Sequence, residues 1–286
     1  MLSLLLITQL LAATPAPPPF QVEVQGKGTP VLLVPGLSCP GSVWAETAKQ
    51  LAATHEVHVV SLAGFGGVAP LDEPSLQAVR DGLIGYIQAK RLQRPVLVGH
   101  SLGAFLGFWV AQTAPDALGG LLALDGVPFL PALQDPAATA EAMRPMAAQM
   151  RSAIAGMSAE AYGQRARASL APMVTDPETA KRVGDWSAKS DPKTVAEAMA
   201  TMLTTDLRPG LSRVKVPVLL VASTNPMLSA EATLAAYGAQ VKAAPHARTV
   251  LAEGSRHFIM YDRPDFFRAQ LEAFLRDVNA PKKAER

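Results

Sequence analysis

Val96-Leu97-Val98-Gly99-His100-Ser101-Leu102-Gly103-Ala104-Phe105 decides how this chain reads. An apolar run stops at a tight turn, and a helical pattern over 102–113 starts at once. The five residues from Gly99 to Gly103 fit Gly-x-Ser-x-Gly. So sharp a turn sets its serine at strained backbone angles, and glycines two before and two after remove side chains that would collide. The hydroxyl then stands above a sheet at a helix N-terminus, where partial positive charge favours a developing anion. Ser101 is therefore the candidate nucleophile; the plainer alternative is a serine in an ordinary strand–helix turn.

Similar strand-like runs lie on both sides: 31–34, 57–61, 121–124, 218–221 and 249–251, each closed by Gly, Pro, Asn or Asp. Short continuous apolar runs of this kind predict buried parallel strands. Helical patterns at about 42–53, 75–90, 102–113, 230–238 and 264–278 separate them. The alternation predicts an α/β fold with a doubly wound, mostly parallel sheet. One interval, 128–213, carries no strand pattern and is rich in Ala and Met; it predicts an inserted helical layer. Asp176-Pro177 and Asp191-Pro192 mark turns or helix starts within it. Residues 20–127 and 214–278 form the core of this reading, 128–213 a helical cap, and 279–286 a solvated tail.

Composition agrees with a globular chain: 286 residues, 49% apolar, 17% charged, net charge +2. No basic stripe points to nucleic acid. A single cysteine, Cys39, excludes an internal disulfide or a Cys-based metal site. No apolar run is long enough to cross a bilayer. Leu2 to Ala13 has the length of a signal-peptide core, followed by small residues and then Pro15, Pro17, Pro18 and Pro19. The expectation is an exported chain with residues 1–19 as signal and Pro-rich lead, although no basic residue precedes Lys27. A cytoplasmic chain that keeps its N-terminus is the alternative.

A serine hydroxyl needs a base. Of five histidines, His257 follows the last strand inside Gly254-Ser-Arg-His257-Phe, on the side of the sheet where sites form. His100 adjoins the serine and reads as a packing residue, and His55, His58 and His246 flank strands. The third member must orient the imidazole and stabilise its charged form. Two strand ends offer candidates, Asp125 and Asn225; Asn carries no charge, so Asp125 is the better orienter. Asp262 reads as part of the entry to the last helix. An oxyanion hole needs two N–H donors: Leu102, next after the serine, and Leu37 in the loop Pro35-Gly36-Leu37-Ser38-Cys39-Pro40-Gly41. Cys39 has no partner histidine by spacing. There is no Gly-rich phosphate cradle after the first strand and no His/Asp cluster at metal-ligand spacing, so no cofactor or metal is expected.

From about Val22 to Val278 the chain resembles the α/β-hydrolase superfamily, on Pro35-Gly36-Leu37, Gly64-Phe65-Gly66, Gly99-His-Ser-Leu-Gly103 and Gly254-Ser-Arg-His257. The resemblance implies Ser101 as nucleophile, His257 as base, Leu37 and Leu102 as oxyanion donors, and 128–213 as the variable cap. Three positions depart from the family pattern: Pro35 where many members have His, Ser61 where an Asp is usual, and Asn225 where the acid usually stands. Some members carry the acid one strand earlier, and Asp125 matches that placement. Relatives that dehalogenate or open epoxides use an Asp nucleophile, so Ser101 points to acyl transfer. The expected activity is hydrolysis of small to medium hydrophobic carboxylic esters through an acyl-serine. An acyltransferase, lactonase or amidase with the same residues is the alternative, as is a ligand-binding homologue without turnover. The oligomeric state stays open.

Overall fold

The computed structural model describes residues 18–280; the export pattern at the N-terminus and residues 281–286 lie outside them. In chain order come β1 (Phe20–Gln25), β2 (Thr29–Val34), α1 (Ala45–Leu51), β3 (His55–Leu62), α2 (Leu76–Ala89), β4 (Val96–His100), α3 (Leu102–Thr113) and β5 (Gly120–Leu124). The chain then leaves the sheet for α4 (Ala140–Ala155), α5 (Ala159–Leu170), α6 (Pro177–Ser187) and α7 (Pro192–Thr204). It returns through β6 (Val218–Ser223), α8 (Ala230–Val241), β7 (Ala247–Ala252), the single turn α9 (Ile259–Asp262) and α10 (Pro264–Asn279).

The seven strands form one sheet in the order β1-β3-β2-β4-β5-β6-β7. Only β1 runs antiparallel, against β3. It is also the strand that a search for continuous apolar runs passes over. Phe-Gln-Val-Glu-Val-Gln alternates, and beyond Phe20 it is largely exposed, as an edge strand with one wet face allows. The inner strands are buried on both faces, which is why they read as unbroken Val and Leu.

Alternate side chains feed two cores. Leu32, Val60, Leu97, Leu121 and Leu220 face α2, α3 and α8. Leu33, Val59, Val98, Leu122 and Leu219 face α1 and α10. Helix α3 is buried almost all round, which explains its uniformly apolar sequence. Ser75, Thr139, Ser158, Asp176, Asp191 and Ser229 each accept a backbone N–H as N-caps. The two Asp-Pro pairs are thus helix starts, with proline in the first turn where its missing N–H costs nothing. Among the described residues, no helix is long and apolar enough to cross a membrane.

The sheet fixes the site's location. β2 has β3 on one side and β4 on the other, so the direction of winding reverses between β2 and β4. Open α/β sheets bind ligands in the crevice beyond such a reversal, at the carboxyl ends of the strands. The loop with Leu37 leaves β2 there, and Ser101 leaves β4.

Phe274 of α10 is fully buried against the second face of the sheet, whereas Val24 on β1 is 53% exposed. We expect Phe274→Ala to cost about 3–5 kcal/mol in denaturant unfolding and Val24→Ala to stay within about 0.5 kcal/mol. Equal small losses would contradict the placement of α10 in the core.

Candidate functional site

Ser101 has φ 52° and ψ −114°, outside the regions favoured by L-residues. Neighbouring contacts impose this. Ser101 N–H donates to the Leu124 carbonyl at 2.9 Å. A Cβ on Gly103 would run into the Val34 and Pro35 carbonyls, and one on Gly99 into the Gly103 backbone. Both glycines are therefore needed for strand and helix to meet at this angle. The Ser101 hydroxyl makes no hydrogen bond among the described residues, and it lines a cavity of about 450 Å³. His257 lines the same cavity, and its side chain keeps 27% of its exposure.

His257 Nδ1 lies 2.6 Å from Asp125 Oδ2. A carboxylate only accepts, so the proton sits on Nδ1, leaving Nε2 free to act as a base. Asp125 itself has φ 46°, a left-handed angle that Asp tolerates better than most residues. Its side chain is 4% exposed. Burial is the largest effect on it and opposes its charge. Hydrogen bonds from His257, Tyr237 and the Ser223 backbone outweigh burial together, holding the carboxyl below its ordinary value. Tyr237 hydroxyl donates to Oδ1 at 2.7 Å, Ser223 N–H to Oδ1 at 2.9 Å and Ser223 hydroxyl to Oδ2 at 2.8 Å. Burial, then the Asp125 charge, pushes the Tyr237 phenol far up, so it remains a donor. Ser223 and Tyr237 are invisible to sequence reasoning. They lie about a hundred residues beyond Asp125, and neither belongs to a motif.

Asn225 takes no part in this network. Its Oδ1 accepts the Met227 N–H at 2.9 Å in an exposed turn. Asp262 accepts from Thr175 N–H at 2.8 Å and Arg256 N–H at 2.7 Å, fixing the loop that carries His257 to the helical insertion.

The loop after β2 supplies the other wall. Leu37 lines the cavity, and its N–H meets no protein acceptor among the described residues. Leu102, first residue of α3, also has a free N–H by its position in the helix. Ser38 is held at φ 60°. Its hydroxyl hydrogen-bonds the Tyr162 hydroxyl of α5 at 2.8 Å, and its carbonyl accepts from the Ser190 hydroxyl at 3.2 Å. The insertion thus braces the loop that carries Leu37. Ser61 accepts the Gly41 N–H at 3.0 Å, a structural use of the position where the family pattern has Asp. Cys39 is fully buried, and burial pushes its thiol up to about 12, which makes it inert.

His100 is buried behind the site. Its Nε2–H donates to the His257 carbonyl at 3.1 Å. Burial, then repulsion from His257, pulls its pKa down to about 3, so the ring stays neutral. His58 on β3 pairs with Glu56 of the same strand and with Tyr86 of α2, and none of the three lines the cavity.

Most of the remaining wall of the cavity comes from the insertion. Met150, Met173, Met199 and Met202 line it; Met143, Met146 and Met157 do not. A groove of about 560 Å³ between α1 and α10 is larger, but it holds neither Ser101 nor His257. Among the described residues, no cluster of three His, Cys, Asp or Glu could hold a metal ion.

Residues 31–270 match the sequence profile of the Alpha/beta hydrolase family, and the chain belongs to that family. It is 25% identical over 269 residues to "Putative carbamate hydrolase RutD" of Azorhizobium caulinodans, covering 90% of this chain and 95% of that one. Over 106 residues it is 27% identical to "Pimeloyl-[acyl-carrier protein] methyl ester esterase" of Aliivibrio salmonicida. That match spans only 37% of this chain and 39% of the relative. Among solved structures, a thermophilic esterase from Thermogutta terrifontis superposes with a TM-score of 0.73 at 22% identity, over 91% of this chain and 94% of that one.

The His100 ring gives a pH test. An ordinary histidine takes a proton near 6.5, whereas folded His100 resists until about 3. Between those values the unfolded chain binds one more proton than the folded one. This contribution is therefore complete above about pH 7 and drains away as pH falls towards 3. We expect His100→Gln, whose amide can still donate to the His257 carbonyl, to flatten unfolding stability between pH 6 and 4 by up to ~1.4 kcal/mol per pH unit. An unchanged slope would contradict a neutral His100.

Proposed function

We propose that this chain is a serine hydrolase that cleaves carboxylic esters through an acyl-serine. The observation that carries the reading is the 2.6 Å His257–Asp125 contact in the cavity that also holds the strained Ser101 turn. Ser101 Oγ attacks the ester carbonyl carbon while His257 Nε2 takes the hydroxyl proton. Asp125 holds the imidazole in the correct tautomer and stabilises its positive charge. The oxyanion accepts the N–H groups of Leu37 and Leu102. Collapse breaks the bond to the alcohol, which leaves with the proton from His257. Water then gives its proton to His257 and attacks the acyl-serine, and release of the acid restores the hydroxyl. The Met- and Leu-lined cavity suits an apolar acyl or alcohol group of small to medium size.

Turnover of p-nitrophenyl esters tests this. We expect Ser101→Ala to remove activity down to background and Asp125→Asn to lower kcat by about 10³–10⁴-fold. Asn225→Ala should remain within about twofold, because Asn225 serves only its own turn. The base must be unprotonated, so activity should rise with pH across the range in which histidines lose their proton. Full activity in Asp125→Asn would remove Asp125 from the mechanism. A flat profile from about pH 5 to 9 would remove the histidine base.

A further inference from the structure

Seven arginines lie in the insertion between residues 128 and 213. Six have partners. Arg144, Arg151, Arg167 and Arg208 pair with Glu141, Glu197, Asp185 and Asp206. Arg182 lies over the Trp186 and Tyr261 rings, and Arg213 donates to the Gln112 carbonyl. Arg165 alone has neither an ion pair nor a hydrogen bond among the described residues, and Arg165 alone of the seven lines the Ser101 cavity. One turn along α5, Ser169 also lines the cavity and also has no hydrogen-bond partner among the described residues. Residues four apart on a helix are neighbours on one face. Both are exposed, which places them at the cavity mouth.

The charge of the cavity is thereby uneven. Its one carboxylate, Asp125, is consumed by His257, Tyr237 and Ser223. The guanidinium of Arg165 is answered by nothing in the wall. At the mouth, water solvates it while the site is empty, so the unpaired charge carries no burial penalty. A ligand that brings an anion there gains a charge-assisted hydrogen bond at little desolvation cost.

We propose that Arg165 and Ser169 form an anion-recognition pair, and that the substrate is an ester whose end remote from the scissile bond carries an anionic group. A half-ester of a dicarboxylic acid has this form, with the ester carbonyl at Ser101, the apolar chain along the methionines and the carboxylate at Arg165. A terminal phosphate would meet the same guanidinium. The proposal rests on the acyl-serine reading of the cavity, and it specifies which esters the cavity prefers.

The test compares kcat/KM for the mono-p-nitrophenyl ester of glutaric acid with that for p-nitrophenyl pentanoate, and for a matched ester ending in phosphate. The charged-to-neutral ratio is internal to each variant, so a general loss of activity or folding cancels. We expect Arg165→Gln to lower that ratio about tenfold, Arg165→Lys to retain part of it, and Arg165→Glu to lower it further. In the wild type the ratio should shrink as salt rises from about 0.05 M to about 1 M. The charged arm with the larger Arg165 dependence identifies the anion. A ratio that is the same in all variants overturns the proposal. A second measurement needs no turnover: calorimetric binding of monomethyl glutarate to Ser101→Ala, with and without Arg165→Gln. An approximately tenfold weaker Kd in the double variant supports the anion site even if wild-type protein cleaves no ester, an outcome that would sink only the acyl-serine reading. Equal Kd values, or no binding to either protein, overturn the anion site.

Discussion

Burial opposes the charge of a carboxylate with 4% of its side chain exposed, so Asp125 stays ionised only through the hydrogen bonds it receives, and it is the point from which the site is organised. Its oxygens receive hydrogen bonds from the end of β6 through the Ser223 N–H and hydroxyl, from α8 through the Tyr237 hydroxyl, and from the loop after β7 through His257. Three separate parts of the chain converge on one anion at the end of β5. With the Asp125 carboxylate at the end of β5, the end of β6 supplies donors to it, and Ser223 provides two.

The two strained turns support one another. Ser101 and Asp125 both have positive φ, and the Ser101 N–H is tied to the Leu124 carbonyl beside Asp125. Gly126 passes so close to the Ser101 carbonyl that no side chain fits there. Strain of this kind, of order 1–3 kcal/mol per residue, persists only where the surroundings over-determine it. Here the surroundings are β4 and β5, paired in parallel register and buried on both faces. The sheet core is thus what holds Ser101 at a backbone angle it would not otherwise adopt.

The strands, the elbow and the candidates at strand ends were legible because each depends on local chemistry. Continuous Val and Leu runs mark strands buried on both faces, and Gly99 and Gly103 mark a turn that only glycine permits. The pairing of His257 with Asp125 rather than Asn225 follows the charge difference between the two side chains. Strand β1 escaped because an edge strand with one wet face alternates instead of running apolar. Tyr237 and Ser223 escaped because a lone Tyr on a helix, or a Ser at a strand end, carries no pattern. Their role exists only once tertiary structure brings them to Asp125. The insertion was legible as helices through its Asp-Pro caps. Which of its methionines face the cavity was not, because Met suits irregular apolar space of any kind.

The insertion is more than a wall added to a finished site. Ser38 sits beside Leu37, and its hydroxyl and carbonyl are held by Tyr162 of α5 and by Ser190, just before α7. Ser190 also accepts the Gly66 N–H at 2.9 Å, so the same serine joins two loops at the carboxyl edge of the sheet. The Tyr162, Arg165 and Ser169 side chains all belong to α5 and all reach one cavity. A shift of α5 that reshapes the mouth must therefore also move the partner that braces the Leu37 loop. The mouth of the cavity and the brace of the Leu37 loop thus share one helix.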